Sequence, residues 1–346
     1  MSAITPQDRA IAHWLLVCLF LIFFMVVLGG VTRLTGSGLS MVNWHPIHGT
    51  VPPLNTMEWD EEFSFYQQSP EFQKINRHMD VDDFKTIFWF EYSHRMLGRF
   101  IGLVFFVPFV YFWLRKKIKP GLTPKLITMF VLGGFQGLLG WYMVKSGLVN
   151  NPHVSQYRLT AHLISAILIY SFILWTWLEL RFPKSLQPSQ DPQLRRWCQL
   201  SFGLLALVLL TIVSGGFVAG LKAGQIFNTF PLMGGQWIPE GILALSPAYM
   251  NLFENKVTVQ FVHRVLAIGT AVLLLAWYIK GRSRFDDQLL TRSFKWIGMM
   301  VIIQVSLGLF TLLFHVPVPI AAMHQAAALI LFSAMLLNLH ALRNRI

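Results

Sequence analysis

EYSHRMLGR at residues 91–99 returns in altered form as QFVHRVLAI at residues 260–268, with His94 and His263 standing 169 residues apart. The correspondence extends outward from there. Gln136-Gly137-Leu138-Leu139-Gly140 recurs as Gln304-Val305-Ser306-Leu307-Gly308 after 168 residues, and His162 is answered by His324 after 162. Gly29-Gly30 is answered by Gly215-Gly216. Four anchors in one order at similar offsets mean that the chain is written twice.

The repeated unit is apolar. Of 346 residues 54% are hydrophobic and 13% charged, against roughly 25% charged in soluble domains. Eight stretches reach the length of about 20 residues that crosses a bilayer: 14–31, 87–114, 126–144, 158–180, 197–221, 257–280, 296–314 and 320–341. The expected fold is an all-α integral membrane protein whose eight transmembrane helices form two pseudo-symmetric four-helix bundles. The halves are residues 1–180 and 197–346, joined by a cytosolic linker, 181–196, rich in Pro, Ser and Gln. An even number of crossings per half makes the repeat parallel, with its axis along the membrane normal.

The net charge of +12 invites a nucleic-acid reading, which the distribution removes. With the N-terminus in the cytosol, cytosolic segments hold 17 of the 28 Lys and Arg residues. This positive-inside bias sets both termini in the cytosol of a multi-pass protein. No A-x-A cleavage site follows the first apolar stretch, which reads as a retained helix. Without an Arg- and Ser-rich presequence, a bacterial inner (plasma) membrane is favoured over a mitochondrial precursor. Cys18 and Cys198, the two cysteines, read as small apolar fillers.

The outer loop 32–86 is net acidic, with eight Asp and Glu against four Lys and Arg, and it holds Trp44, Trp59, Phe63, Phe65 and Tyr66. That mixture predicts short helices at the membrane interface. The shorter loop 222–256 carries Phe227, Phe230, Pro231 and Trp237. The two loops either cap the outer mouths of the bundles or serve as interfacial anchors.

Of eleven histidines, His45, His48, His78, His153 and His315 fall in or beside outer loops, and His13 and His340 at cytosolic helix ends. The other four, His94, His162, His263 and His324, lie four to seven residues inside the outer ends of even-numbered apolar stretches. At 1.5 Å per residue they share one shallow layer. An imidazole in a membrane helix needs a partner, and four at equivalent positions of a repeat call for a repeated explanation. Each half offers two, too few for a structural zinc site but suited to the axial positions of a haem inside a helical bundle. On the residues alone, haem is the simplest ligand, with interhelical hydrogen bonding and other metals still open.

The halves also differ. Glu91, three residues before His94 and so on the same helix face, is replaced by Gln260, and Arg99 by Ile268. Glu91 either forms an ion pair with Arg95 or Arg99, or serves as a carboxylate beside a reacting centre. The asymmetry points to one haem site that does chemistry and one that supplies electrons.

The chain resembles the haem A synthase family, and closely its alphaproteobacterial and mitochondrial branch. The segments that carry the likeness are GGVTRLTGSGLSMVNW (29–44), FWFEYSHRMLGR (88–99), GGFQGLLGWYMVKSGL (133–148), GGFVAGLKAGQIFNTFPLMGG (215–235), QFVHR (260–264) and the MHQ around His324. Other branches carry an outer-loop cysteine pair that is absent here. The resemblance implies an oxidoreductase that converts the C8 methyl group of haem O to a formyl group, giving haem A for terminal oxidase assembly. It implies that His94 and His162 frame the substrate haem with Glu91 beside them, and that His263 and His324 ligate haem b. Expected partners are haem O, haem O synthase, cytochrome oxidase assembly factors, membrane lipid and an unidentified electron donor; the oligomeric state is open. Two axial histidines leave no free position for oxygen at the substrate iron. Either one leaves, or the methyl group loses electrons and a proton and is attacked by water, with Glu91 stabilising the cation or taking the proton.

Two other classes compete. A di-haem cytochrome b passing electrons from quinol usually needs haems near both faces, whereas the four histidines share one layer. A transporter with parallel repeats places its polar site near the midplane on broken helices, whereas the Gly-Gly pairs here fall near outer helix ends.

Overall fold

A computed structural model describes residues 5–42, 48–148, 152–182 and 191–346. Trp44, His45 and the linker residues 183–190 lie outside the described residues. The described chain is helical, with α1 (Pro6–Leu34), α2 (Thr56–Gln67), α3 (Val81–Leu114), α4 (Thr123–Lys145), α5 (Gln156–Arg181), α6 (Pro192–Gly220), α7 (Asn251–Glu254), α8 (Lys256–Gly281), α9 (Gln288–Leu313) and α10 (Val318–Arg343). All but α2 and α7 are long and apolar enough to cross a membrane, which gives the eight helices expected. Their surfaces carry Phe20, Phe24, Leu103, Val107, Leu138, Phe202, Val272 and Ile302 in exposed positions. Such a density of outward apolar side chains belongs in lipid rather than water.

Polar residues start the helices where the apolar runs begin. The Asp80 side chain accepts from the backbone N–H groups of Asp82 and Asp83 at the start of α3, and Asn255 accepts from Val257 and Thr258 at the start of α8. Asp191 and Asp287 cap α6 and α9 in the same way, satisfying donors that have no partner within the helix. Helix α3 starts six residues before its apolar stretch. Its first turns carry Asp82, Asp83 and Lys85 alongside buried Phe84, Ile87 and Phe88, an amphipathic pattern that a hydropathy window passes over.

The chain divides into two compact units, residues 20–166 and residues 1–19 with 167–346. In the first, the segment 48–80 is built on the early turns of α3. Met41, Tyr66, Phe84, Ile87 and Phe88 form its core, with Trp59, Phe63 and Phe72 packed against them. The short helix expected in this loop is α2, capped by Asn55, whose side chain accepts from Glu58 N.

In the second unit α6 packs on α8 and α10, and α9 packs on α8 and α10, which closes a four-helix ring. Fully buried Asn338 ties the ring together. Its Oδ1 accepts from Ser201 Oγ of α6 (3.0 Å) and Trp277 Nε1 of α8 (3.2 Å), and its Nδ2 donates to Ser293 Oγ of α9 (2.9 Å). Each helix of the ring thus contributes one member to a network that satisfies the buried amide.

Candidate functional site

His94 of α3 and His162 of α5 lie in the first compact unit, and His263 of α8 and His324 of α10 lie in the second. All four are half-buried. Among the described residues no three His, Cys, Asp or Glu side chains gather as a metal site.

One local device holds every imidazole. Each histidine packs against a glycine of the spanning helix that precedes its own. A Cβ added at Gly29 of α1 would lie 2.9 Å from His94 Nε2, and one at Gly140 of α4 would lie 2.9 Å from His162 Cε1. At Gly215 of α6 it would lie 3.2 Å from His263 Cε1, and at Gly308 of α9 2.8 Å from His324 Cε1. Any larger residue would displace the ring. Gly29 matches Gly215, and Gly140 matches Gly308, in the sequence repeat, so both copies use the same packing.

Polar neighbours then orient three of the rings. The Gln136 amide is hydrogen-bonded to His162 Nδ1 (3.1 Å) and donates to the His162 carbonyl (2.9 Å), while Ser165 Oγ donates to Gln136 Oε1. Its repeat counterpart, Gln304, reaches His324 Nε2 at 3.5 Å and leaves His324 Nδ1 without a partner among the described residues. Ser214 Oγ is 2.8 Å from His263 Nδ1 and donates to the Thr211 carbonyl (2.7 Å). With its hydrogen committed there, the hydroxyl accepts from the ring, which assigns Nδ1–H and leaves the lone pair on Nε2. Each imidazole therefore keeps at least one ring nitrogen with no hydrogen bond among the described residues.

Glu91 is buried at 2% exposure. Its Oε2 accepts from Ser40 Oγ (2.6 Å) and Met41 N (2.9 Å), and its Oε1 from Arg95 Nη2 (2.5 Å). The ion-pair alternative for this residue is thus realised with Arg95, and the pair fastens the segment after α1 to α3. In the second copy Gln260 Nε2 donates to the Phe227 carbonyl (2.9 Å), and Arg264 donates to the Phe227 and Thr229 carbonyls (2.7 and 2.8 Å). Both copies use this pair of positions to hold the loop that follows the preceding spanning helix. Arg99 donates to the Gly49 carbonyl at 3.2 Å, again tying down the loop.

No local sequence pattern gives a role to Gln136, Gln304, Ser214 or the four glycines. The glycines and glutamines were visible as anchors of the repeat, but the imidazole each one touches depends on how helices pack.

Comparison with known proteins gives the family. Residues 12–336 match the family model described as cytochrome oxidase assembly protein. The chain is 50% identical to the heme A synthase of Nitrosospira multiformis, over 98% of this chain and 95% of that one. It is 45% identical to the heme A synthase of Parvibaculum lavamentivorans over 99% and 98% of the two chains. Heme A synthase COX15 of Homo sapiens is also 45% identical, over 97% of this chain and 83% of its own length. The chain is thus a protein of eight membrane-spanning helices that matches, over nearly all its length, a family described as cytochrome oxidase assembly proteins. The chain belongs to the haem A synthase family.

Proposed function

We propose that this protein is a haem A synthase, an oxidoreductase that converts the C8 methyl group of haem O to a formyl group. The observation that carries the reading is the repeated pair of imidazoles, each backed by a glycine and each with a ring nitrogen that makes no hydrogen bond among the described residues. Imidazole pairs serve as haem ligands, and the family relationship supports a haem as the substrate.

The two pairs are assigned unequal work. His94 and His162 frame the substrate haem in the half formed by residues 1–180. His263 and His324 hold haem b in the half formed by residues 197–346. Haem b held there supplies one-electron redox chemistry. Ser214 fixes the His263 tautomer so that Nε2 can face a metal, a role that outer-shell partners of metal-bound histidines commonly play. Glu91 assists at the first site, one helical turn from His94, by stabilising positive charge that develops on the substrate or by accepting its proton. Arg95, Ser40 and Met41 orient that carboxylate. Gln260 gives the second copy no such carboxylate, which supports placing the reaction in the first.

The charge distribution supports a bacterial inner-membrane protein with both termini in the cytosol and both pairs near the outer surface. The decisive assay supplies haem O to the purified protein with a reductant and oxygen and analyses the extracted haems. A formyl-haem product is expected. Spectral reduction of bound haem with no formyl-haem formed would instead identify an electron-transfer cytochrome b.

A further inference from the structure

We propose that Arg33 is the cation that receives a propionate carboxylate of the porphyrin substrate, an inference that rests on the reading of His94 and His162 as the substrate pair. Arg33 stands in the last turn of α1, inside a membrane-spanning helix, and is half-buried. It has no hydrogen-bond or ion-pair partner among the described residues. A guanidinium in that position is costly unless an anion meets it. The other arginines in this part of the unit are in use, Arg95 on Glu91 and Arg99 on the Gly49 carbonyl.

Its place on the helix connects it to the site. Arg33 is four residues beyond Gly29, the glycine that backs the His94 ring, and residues at i and i+4 share one face. The rise between them is about 6 Å. Helical Cα–Cβ bonds tilt toward the N-terminus, so the Arg33 side chain leaves the backbone toward the level of His94. In the repeat, Gly29 matches Gly215, and the residue four beyond Gly215 is Ala219. The cation is therefore not part of the scaffold common to both copies. It belongs to the half in which the reaction is placed.

The chemistry fits one end of the substrate. A haem carries its two carboxylates on one edge of an otherwise apolar ring, and in a membrane site each needs a donor. Guanidinium meets a carboxylate through two parallel N–H···O bonds, a geometry that an ammonium cannot reproduce. Pinning that edge beside Gly29 would fix the rotation of the ring about the His94–His162 axis, and with it the methyl group presented for oxidation. A lipid headgroup phosphate offers the same anionic chemistry, and the test separates the two.

The full chain, with its haem b, is placed in nanodiscs of zwitterionic lipid, with or without anionic lipid. It is titrated with haem O and with the dimethyl ester of haem O, followed by Soret difference spectra. The wild type is expected to bind the free acid about tenfold or more tighter than the ester, the value of one charged hydrogen-bonded contact. Arg33→Gln should cut that preference by about tenfold, the share of one carboxylate, while leaving ester affinity unchanged, and Arg33→Lys should keep part of it. The preference should not depend on anionic lipid. No preference in the wild type, or an undiminished one in Arg33→Gln, overturns the proposal. So does an effect of Arg33→Gln confined to the anionic-lipid arm, which would assign the residue to a headgroup. His94→Ala tests the underlying reading separately: it should abolish the spectral response to acid and ester alike, and an unchanged response would remove that reading whatever Arg33 does.

Discussion

Gly140 and His162 face each other across the α4–α5 contact so closely that a Cβ on residue 140 would lie 2.9 Å from His162 Cε1. The same relation recurs at Gly29, Gly215 and Gly308, and the distances rank the four sites. Alanine at Gly308, at 2.8 Å, should displace its histidine more than alanine at Gly215, at 3.2 Å. Gly308→Ala should therefore lower haem content by severalfold with helical content preserved, and Gly215→Ala should lower it less. Haem-to-protein ratio and circular dichroism on the purified variants check this, and equal retention in both would show that the glycines do not set ring position.

Glu91 carries both a structural and a chemical load, and two substitutions separate them. Removing the side chain with Glu91→Ala leaves Arg95 without its buried partner, which costs about 3–5 kcal/mol for a broken buried pair. Glu91→Gln is milder, because the second copy already holds its loop with Gln260 and Arg264. Glu91→Gln should thus fold and bind haem yet stall conversion of haem O. Full turnover in that variant would confine Glu91 to holding the loop.

Much of this was legible in the sequence. The eight helices, the doubled histidines and the Glu91–Gln260 difference follow from hydropathy and from the repeat. The early start of α3 was not, because Asp82, Asp83 and Lys85 break the apolar run while Phe84 and Phe88 stay buried. Nor was the grip of Glu91 on Ser40 and Met41, residues about 50 positions away, since no local pattern encodes a contact at that separation.

Asn338 joins four helices of the second unit and should matter more to stability than to chemistry. Asn338→Ala leaves Ser201, Trp277 and Ser293 without their shared partner, at about 1–3 kcal/mol for each buried group left unsatisfied. A lower melting temperature with the wild-type haem spectrum is expected. An unchanged melting curve would mean that the network adds little to the ring.

Tyr66 gives the loop a pH dependence. Its hydroxyl donates to Glu71 Oε2 (3.1 Å) and accepts from Asn76 Nδ2 (2.7 Å). Burial, with the Glu71 charge added, pushes its pKa above the ordinary 10.0. The folded loop therefore holds the phenolic proton more tightly than the unfolded chain does. That stability is complete below pH 10 and is lost as pH rises from there through the raised value. Alkaline melting of the wild type should steepen above about pH 10 relative to Tyr66→Phe, and parallel profiles would contradict this.

The unequal division of the two histidine pairs is tested most directly by one measurement, the haem extract and absorption spectrum of purified wild type beside His94→Ala and His263→Ala. Loss of haem b in the His263 variant alone, with the His94 variant keeping haem b but making no formyl-haem, is the predicted result. Loss of haem b in the His94 variant and its retention in the His263 variant would exchange the two sites and contradict the account.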